Sequence, residues 1–167
     1  MTIQIKDRLK YENKNYSIAE LPMQAYFYKN KIEIRFIFKS TDCWRGYTAM
    51  WEINGGKLFL TNLKGEGFLL DRIKYQEERL KLRKKIKSGI VSALDYQKST
   101  KILKNECFTK VHFSLKTFFK TEDMIFAEWY SGILTAHNSK LKEKRSLGNE
   151  KKYENELLFK IRNGQVL

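Results

Sequence analysis

The residues best suited to chemistry form a dense run of positive charge between positions 72 and 87. Eight of these sixteen residues are cations, and only Glu77 and Glu78 oppose them. The cations are Arg72, Lys74, Arg79, Lys81, Arg83, Lys84, Lys85 and Lys87. Lysine and arginine side chains neutralise phosphates and release condensed counterions, so this run favours salt-sensitive binding to nucleic acid. A run of charge is also typical of a solvated helix face, and that alternative stays open.

The whole chain has the same sign of charge. Its 33 Lys and Arg residues against 19 Asp and Glu residues give a net charge of +14. A field of this size attracts polyanions and speeds their encounter with the protein. A lysine-rich composition also arises from AT-rich coding sequence, so composition by itself leaves open whether the charge serves a function.

Aromatic side chains accompany the cations at two places. Tyr75 lies inside the basic run, while Trp44 and Tyr47 flank Arg45 in the sequence CWRGY. Aromatic rings stack on unpaired bases, and an arginine beside them contacts phosphate or base. These three aromatic residues and Arg45 therefore join the basic run as candidate binding residues. Packing in the core is the alternative for the tryptophans, because large aromatic side chains dominate cores.

Catalytic patterns are weak. Two histidines, His112 and His137, could act as the acid and base of a ribonuclease, but their separation in sequence predicts no shared site, and packing or capping explains them more simply. Asp42, Glu52 and Glu128 could converge on a metal ion, although ion pairs with nearby cations account for them equally well. Phosphate-binding, dinucleotide-binding, zinc-protease and serine-hydrolase motifs are missing from the sequence. We expect no enzyme activity, no cofactor, no bound metal and no small-molecule substrate.

Cysteine usage and hydropathy narrow the class of protein further. Cys43 and Cys107 have no CxxC spacing, so both are expected to be reduced thiols that pack. No uninterrupted apolar run reaches about 18 residues, which argues against a membrane span. The first residues lack the pattern of a secretory signal. These features predict a cytoplasmic protein without a membrane partner.

The strongest local structural prediction is a β-hairpin over residues 44–63. Asn54-Gly55-Gly56 supplies the positive-φ residues of a tight turn between two β-prone runs. Side chains alternate across a pleated strand, so Arg45, Tyr47, Ala49, Trp51 and Ile53 are predicted to share one face. A similar turn is predicted at Asn163-Gly164.

Hydrophobic patterns place the remaining elements. A first hairpin is predicted from 2–10 through a polar turn at 12–15 to 16–18, with a loop or short helix over 19–28 around Pro22. Further strands are predicted over 32–38, 108–119 and 125–136, and a strand pair over 154–167. The basic run reads as a helix over 72–87 with Ile73, Leu80 and Ile86 on one side, ended by Ser88-Gly89, and a second helix follows over 93–105. We therefore predict a single α+β domain over 1–167, in which a predominantly antiparallel sheet of six to eight strands carries a basic helical hairpin inserted at about 72–106.

Several short segments resemble a family of small uncharacterised bacterial proteins. The family pattern is approximately WRGY, WEI, L-x-L, F-A-x-W-x-x-G-x-L and a terminal Y-E-x-x-L with an NG turn. The matching segments here are WRGY at 44–47, WEI at 51–53, LFL at 58–60, FAEWYSGIL at 126–134 and YENELLFKIRNG at 153–164. The resemblance covers about two thirds of the chain, implies a shared β-rich scaffold and carries no activity. It places any distinctive function in the basic segment, as in an anti-CRISPR-like member encoded by a mobile element.

These features together favour a non-enzymatic basic protein that binds RNA or a ribonucleoprotein. The alternative is a phage or mobile-element inhibitor of an RNA-guided defence nuclease, which would make a CRISPR effector its partner. An immunity protein against a secreted toxin ranks third, because partners of toxic nucleases tend to be acidic. The sequence leaves the oligomeric state open.

Overall fold

The computed structural model describes residues 4–38, 42–90, 92–138 and 156–167. The strands at the two ends of one run of paired strands also pair with each other, so the sheet is closed. Seven of the strands form a closed β-barrel, and four helices accompany it. The predicted fold class, an α+β domain built on a sheet with a helical hairpin inserted in it, is therefore wrong. The prediction used only local patterns, and closure depends on pairings between distant segments.

Fourteen elements lie within the described ranges. The strands are β1 Asp7–Tyr11, β2 Lys14–Ile18, β3 Ile34–Phe36, β4 Tyr47–Asn54, β5 Lys57–Leu70, β6 Phe108–Phe113, β7 Ile125–Phe126, β8 Gly132–His137, β9 Glu156–Arg162 and β10 Gln165–Val166. The helices are α1 Pro22–Lys29, α2 Arg72–Lys87, α3 Ala93–Glu106 and α4 Leu115–Phe119. None of these helices is long and apolar enough to cross a membrane.

The barrel follows the strand order β5, β4, β1, β2, β8, β9, β10 and back to β5. Closure comes from one antiparallel pairing, in which Gln165 of β10 lies opposite Lys57 of β5. β1 and β4 run parallel, while the other described barrel pairings are antiparallel. A closed barrel leaves no free edge along its wall, which removes the aggregation risk of edge strands.

The hairpin predicted from the Asn54-Gly55-Gly56 turn is confirmed as β4 and β5. Gly55 and Gly56 both have positive φ angles, as a tight turn between twisted strands requires. The predicted alternation along β4 is also confirmed, because Tyr47, Ala49, Trp51 and Ile53 are buried while the residues between them are at least partly exposed. The second arm continues to Leu70, seven residues beyond the predicted end.

The second half of β5 is the central strand of a smaller ladder. β3 pairs with one edge of this segment and β6 with the other, and we call these three strands the outer ladder. Gly65 and Gly67 lie on its inner side, where a Cβ atom on either would come within 2.7 Å of the Phe113 ring. The two glycines are thus strand residues that make room for an aromatic ring.

Aromatic residues fill the space beneath the outer ladder. The rings of Phe36 and Phe113 lie 5.7 Å apart, and Phe36 lies 5.5 Å from Tyr47. Phe118 adds to this cluster from α4, a helix over residues predicted to be strand. The Ser114 hydroxyl caps α4 by accepting from the Thr117 amide at 3.2 Å, and this cap overrides the apolar run that followed.

Candidate nucleic-acid interface

The basic run lies on a pair of antiparallel helices that stands away from the barrel. α2 and α3, joined through residues 88–92, connect β5 to β6, whose terminal residues Leu70 and Phe108 are paired neighbours. We call α2, α3 and their connection the basic helix pair. None of the 16 residues of α2 is buried, so the cations of this helix are presented to solvent.

Each helix begins with a side-chain cap. The Asp71 carboxylate accepts a hydrogen bond from the Lys74 amide at 3.0 Å, and the Ser92 hydroxyl accepts one from the Asp95 amide at 3.1 Å. Such caps stabilise a helix by about 1 kcal/mol each. They help to define a helix pair that has little core of its own.

The seam between the two helices is thin. Tyr75, Leu82 and Ile86 of α2 are partly buried at the seam. Ile73 and Leu80, which were predicted to lie on the same side of the helix as Ile86, are instead exposed at 73% and 57%. Seven-residue spacing does place Ile73 and Leu80 on one side, but that side faces solvent.

The cations of α2 fall on two flanks of the helix. Helical spacing puts Arg72, Arg79, Arg83 and Lys87 on one flank and Lys74, Lys81 and Lys85 on the other, with Lys84 between them on the solvent side. Arg79 and Arg83 lie beside the hydroxyl of Tyr96 in α3. Arg79 first, and Arg83 after it, lower the pKa of Tyr96 below its ordinary value. The arginine flank thus continues onto α3.

The lysine flank contains one ion pair. Lys81 Nζ lies 2.6 Å from Glu78 Oε1, one helical turn away, and this contact lowers the pKa of Glu78. Exposed pairs of this kind contribute little to stability. Lys74 and Lys85 also interact electrostatically with Glu78, whose negative charge offsets part of the positive charge on this flank. The arginine flank is therefore the more strongly positive side of the helix.

Two of the three residues predicted in the WRGY segment belong to the barrel. Tyr47 is 1% exposed, and its ring packs edge-on against Phe27, so it is not available to stack on a base. Arg45 donates to Asp7 Oδ1 at 2.5 Å and to the Tyr47 carbonyl at 2.8 Å. Its guanidinium is therefore committed to a buried carboxylate. Because Tyr47 is buried and Arg45 is paired with the buried Asp7, neither residue is a candidate for binding nucleic acid.

Trp44 is exposed but lies far from α2. The loop of residues 42–46 contacts the end of β3, where a Cβ on Gly46 would meet Phe36. The basic helix pair is attached at the other end of the outer ladder, where Leu70 pairs with Phe108. Five strand residues separate the two ends, or roughly 16 Å at 3.3 Å per residue. A ligand of several nucleotides is needed to contact both.

The outer ladder adds a residue that the sequence reasoning missed. The Arg35 guanidinium lies 3.8 Å from the centroid of the Phe108 ring, and its Nη2 donates to Asn105 Oδ1 at 2.6 Å. Phe68, opposite both Arg35 and Lys110 in the ladder, is partly exposed. The sequence FTKVHF could have indicated this surface, because alternation puts Phe108, Lys110 and His112 on one side of a strand.

The histidines do not form a pair. His112 Nδ1 lies 3.1 Å from Glu66 Oε1 on the outer ladder, whereas the buried His137 lies on β8, a strand that pairs with neither β5 nor β6. Glu52 forms a 3.6 Å ion pair with Lys10. In the part of the chain that is described, no three His, Cys, Asp or Glu side chains come together in a metal-binding group.

Comparison with protein-family models, curated proteins and solved structures finds no match to this chain. The resemblance to a bacterial family therefore stays a prediction.

Proposed function

We propose that this protein is a non-enzymatic RNA-binding protein that contacts RNA, free or within a ribonucleoprotein, through its basic helix pair. The observation that carries the proposal is that α2 has eight cations and no buried residue. A helix that packed against the barrel would bury one side. Here two capped helices pack against each other through only a thin seam, and they present an array of positive charge to solvent.

RNA suits this array because of its charge and shape. The two flanks of α2 present cations on opposite sides of a narrow helix, so phosphates of one strand or of two neighbouring strands can lie against them. Two exposed side chains near the base of the helix pair, Phe68 and Arg35, together with the partly buried Phe108 ring, supply surfaces for unpaired bases. We place this activity in the cytoplasm.

Fluorescence anisotropy with a labelled RNA across a series of salt concentrations tests the proposal. We expect micromolar or tighter binding near physiological salt, with an affinity that falls linearly on a log–log plot. Binding that does not respond to salt, or no binding at all, would contradict it. RNA incubated with purified protein should stay intact, and cleavage that disappears in His112→Ala or His137→Ala would contradict the non-enzymatic part.

A second candidate is an inhibitor of an RNA-guided defence nuclease such as a CRISPR effector. Five large apolar side chains of the basic helix pair are exposed: Ile73, Leu80, Ile90, Leu94 and Ile102. Exposed apolar groups beside cations are typical anchors for a protein interface.

A cleavage assay with a purified effector and its guide RNA tests this candidate. Inhibition that disappears when Ile73 and Leu80 are both replaced by Ser, with RNA affinity unchanged, would favour the inhibitor. Full cleavage in the presence of the wild-type protein would contradict it for that effector.

A further inference from the structure

The base of the basic helix pair forms an open pocket against the outer ladder. Its volume is about 460 Å³, within the range of sites that bind small organic groups. The pocket is lined by Ile32, Glu33, Ile34, Arg35, Lys101, Lys104, Asn105 and Phe108. β3 supplies one wall and the last turns of α3 supply the other, so the pocket exists only because these distant segments meet.

Arg35 is held in one orientation at this pocket. Phe108 lies against one face of its guanidinium, and Asn105 accepts a hydrogen bond from its edge. Arg35 is nevertheless an exposed residue, which leaves part of it accessible to a second planar group. An arginine already fixed in this way loses little side-chain entropy when a ligand stacks on it.

The charges around the pocket favour a base within it and phosphates beside it. Glu33 forms a 2.6 Å ion pair with Lys104, and a carboxylate at that point repels phosphate. The same carboxylate and the Asn105 amide can exchange hydrogen bonds with the edge of a base. Lys101 is exposed on α3 next to the pocket, where it can contact the phosphate that follows the base.

From this geometry we propose a nucleotide subsite in which an unpaired base of single-stranded RNA stacks on Arg35 and is read by Asn105 and Glu33. The inference rests on the proposed RNA-binding function and deepens it by assigning the substrate class. A duplex keeps its bases stacked inside the helix, so it can use the cations of α2 but not this pocket. The protein therefore prefers single-stranded RNA to duplex RNA.

Replacement of Arg35 by Lys tests the subsite, because it keeps the charge and removes the planar group. Affinity for a short unstructured RNA should fall about tenfold, the effect of removing one stacking interaction. Affinity for a duplex of the same sequence should change less than twofold, and the salt slope should stay the same. Arg8→Lys, at another exposed arginine on a strand, is the matched control and should change neither affinity.

Crosslinking gives a second measurement on the unaltered protein. With an RNA that carries 4-thiouridine, ultraviolet light should attach the RNA to peptides that contain Phe68 or Phe108. Crosslinks confined to α2, or an equal loss of both affinities in Arg35→Lys, would overturn the subsite while leaving salt-dependent binding to the helix pair. If the wild-type protein binds no RNA at any salt concentration, the subsite and the proposed function both fail.

Discussion

Asp7 is completely buried in β1, and its carboxylate accepts a hydrogen bond from Arg45 at 2.5 Å. The same carboxylate accepts from the Ala49 amide at 3.0 Å and from the Trp51 indole at 3.1 Å. Burial raises the pKa of Asp7, while Arg45 and the other donors oppose that shift. This group of contacts joins β1 to β4, the parallel pair of the described barrel, and explains why Arg45 is committed to the fold.

Replacing Asp7 by Ala should destabilise the protein by about 3–5 kcal/mol. The variant leaves Arg45 and two N–H donors buried without their acceptor, and an unpaired buried charge costs that much. Urea denaturation followed by circular dichroism measures the change in the free energy of unfolding. As a control, Glu52→Gln breaks the exposed Lys10–Glu52 pair and should cost no more than about 1 kcal/mol. Equal effects of the two substitutions would contradict the structural role of Asp7.

The tryptophans of the first hairpin strand and its preceding loop should behave oppositely. Trp51 is 1% exposed, so Trp51→Ala should cost about 3–5 kcal/mol through the cavity and the lost transfer free energy. Trp44 is 66% exposed, and Trp44→Ala should stay within about 0.5 kcal/mol. Thermal unfolding of both variants decides the matter. If Trp51→Ala unfolds like the wild type, the ring does not belong to the core.

Removing charge from α2 should weaken RNA binding without unfolding the protein. Replacing Lys81, Arg83, Lys84 and Lys85 by Gln should lower affinity and flatten the salt slope by roughly 0.7 for each phosphate of a single strand that the variant no longer neutralises. Anisotropy titrations at several salt concentrations measure both quantities.

The matched control for this variant removes four exposed cations from the rest of the protein. Its substitutions to Gln are at Lys14, Lys29, Lys160 and Arg162. The net charge changes by the same amount in the two variants, so a long-range effect of charge alone would weaken binding equally. We expect the α2 variant to lose more affinity, and equal losses would contradict a localised interface.

His137 should make stability depend on pH below neutrality. Burial of the imidazole, with repulsion from Lys6, lowers the pKa of His137 from its ordinary value of 6.5, although Glu156 and Glu20 oppose the shift. The unfolded chain then takes up the proton more readily, so the contribution is present above about pH 6.5 and is lost as pH falls through the lowered pKa. Denaturation between about pH 5 and pH 8 should show a flatter profile for His137→Gln than for the exposed control His112→Gln.

The sequence predicted those elements whose structure is determined by neighbouring residues. The Asn54-Gly55-Gly56 turn predicted the β4–β5 hairpin, and the composition of residues 72–87 predicted α2. The error over residues 115–119 had a local cause, since the Ser114 cap outweighed the strand-like apolar run. The error in fold class had no local cause. Gln165 pairs with Lys57, and nothing in the sequence near Gln165 indicates that partner.

The residues of the candidate site also differ in whether the sequence could predict them. The cations of α2 were visible because they are contiguous in sequence. The packing of Arg35 against Asn105 and Phe108 was not, because about 70 residues separate Arg35 from both. Tyr47 and Arg45 were assigned to binding by residue type. The burial of Tyr47, and the contact of Arg45 with Asp7, 38 residues earlier in the chain, show otherwise.

The late position of β10 in the chain has a consequence for how the protein folds. Lys57 and Gln165, which close the barrel, are more than a hundred residues apart, and pairings of such separation form slowly because loop closure is entropically costly. Until β10 docks, β5 and β9 each have an open edge that can pair with another chain. Refolding should therefore be slower than for a helical protein of this length, and its yield should fall as protein concentration rises.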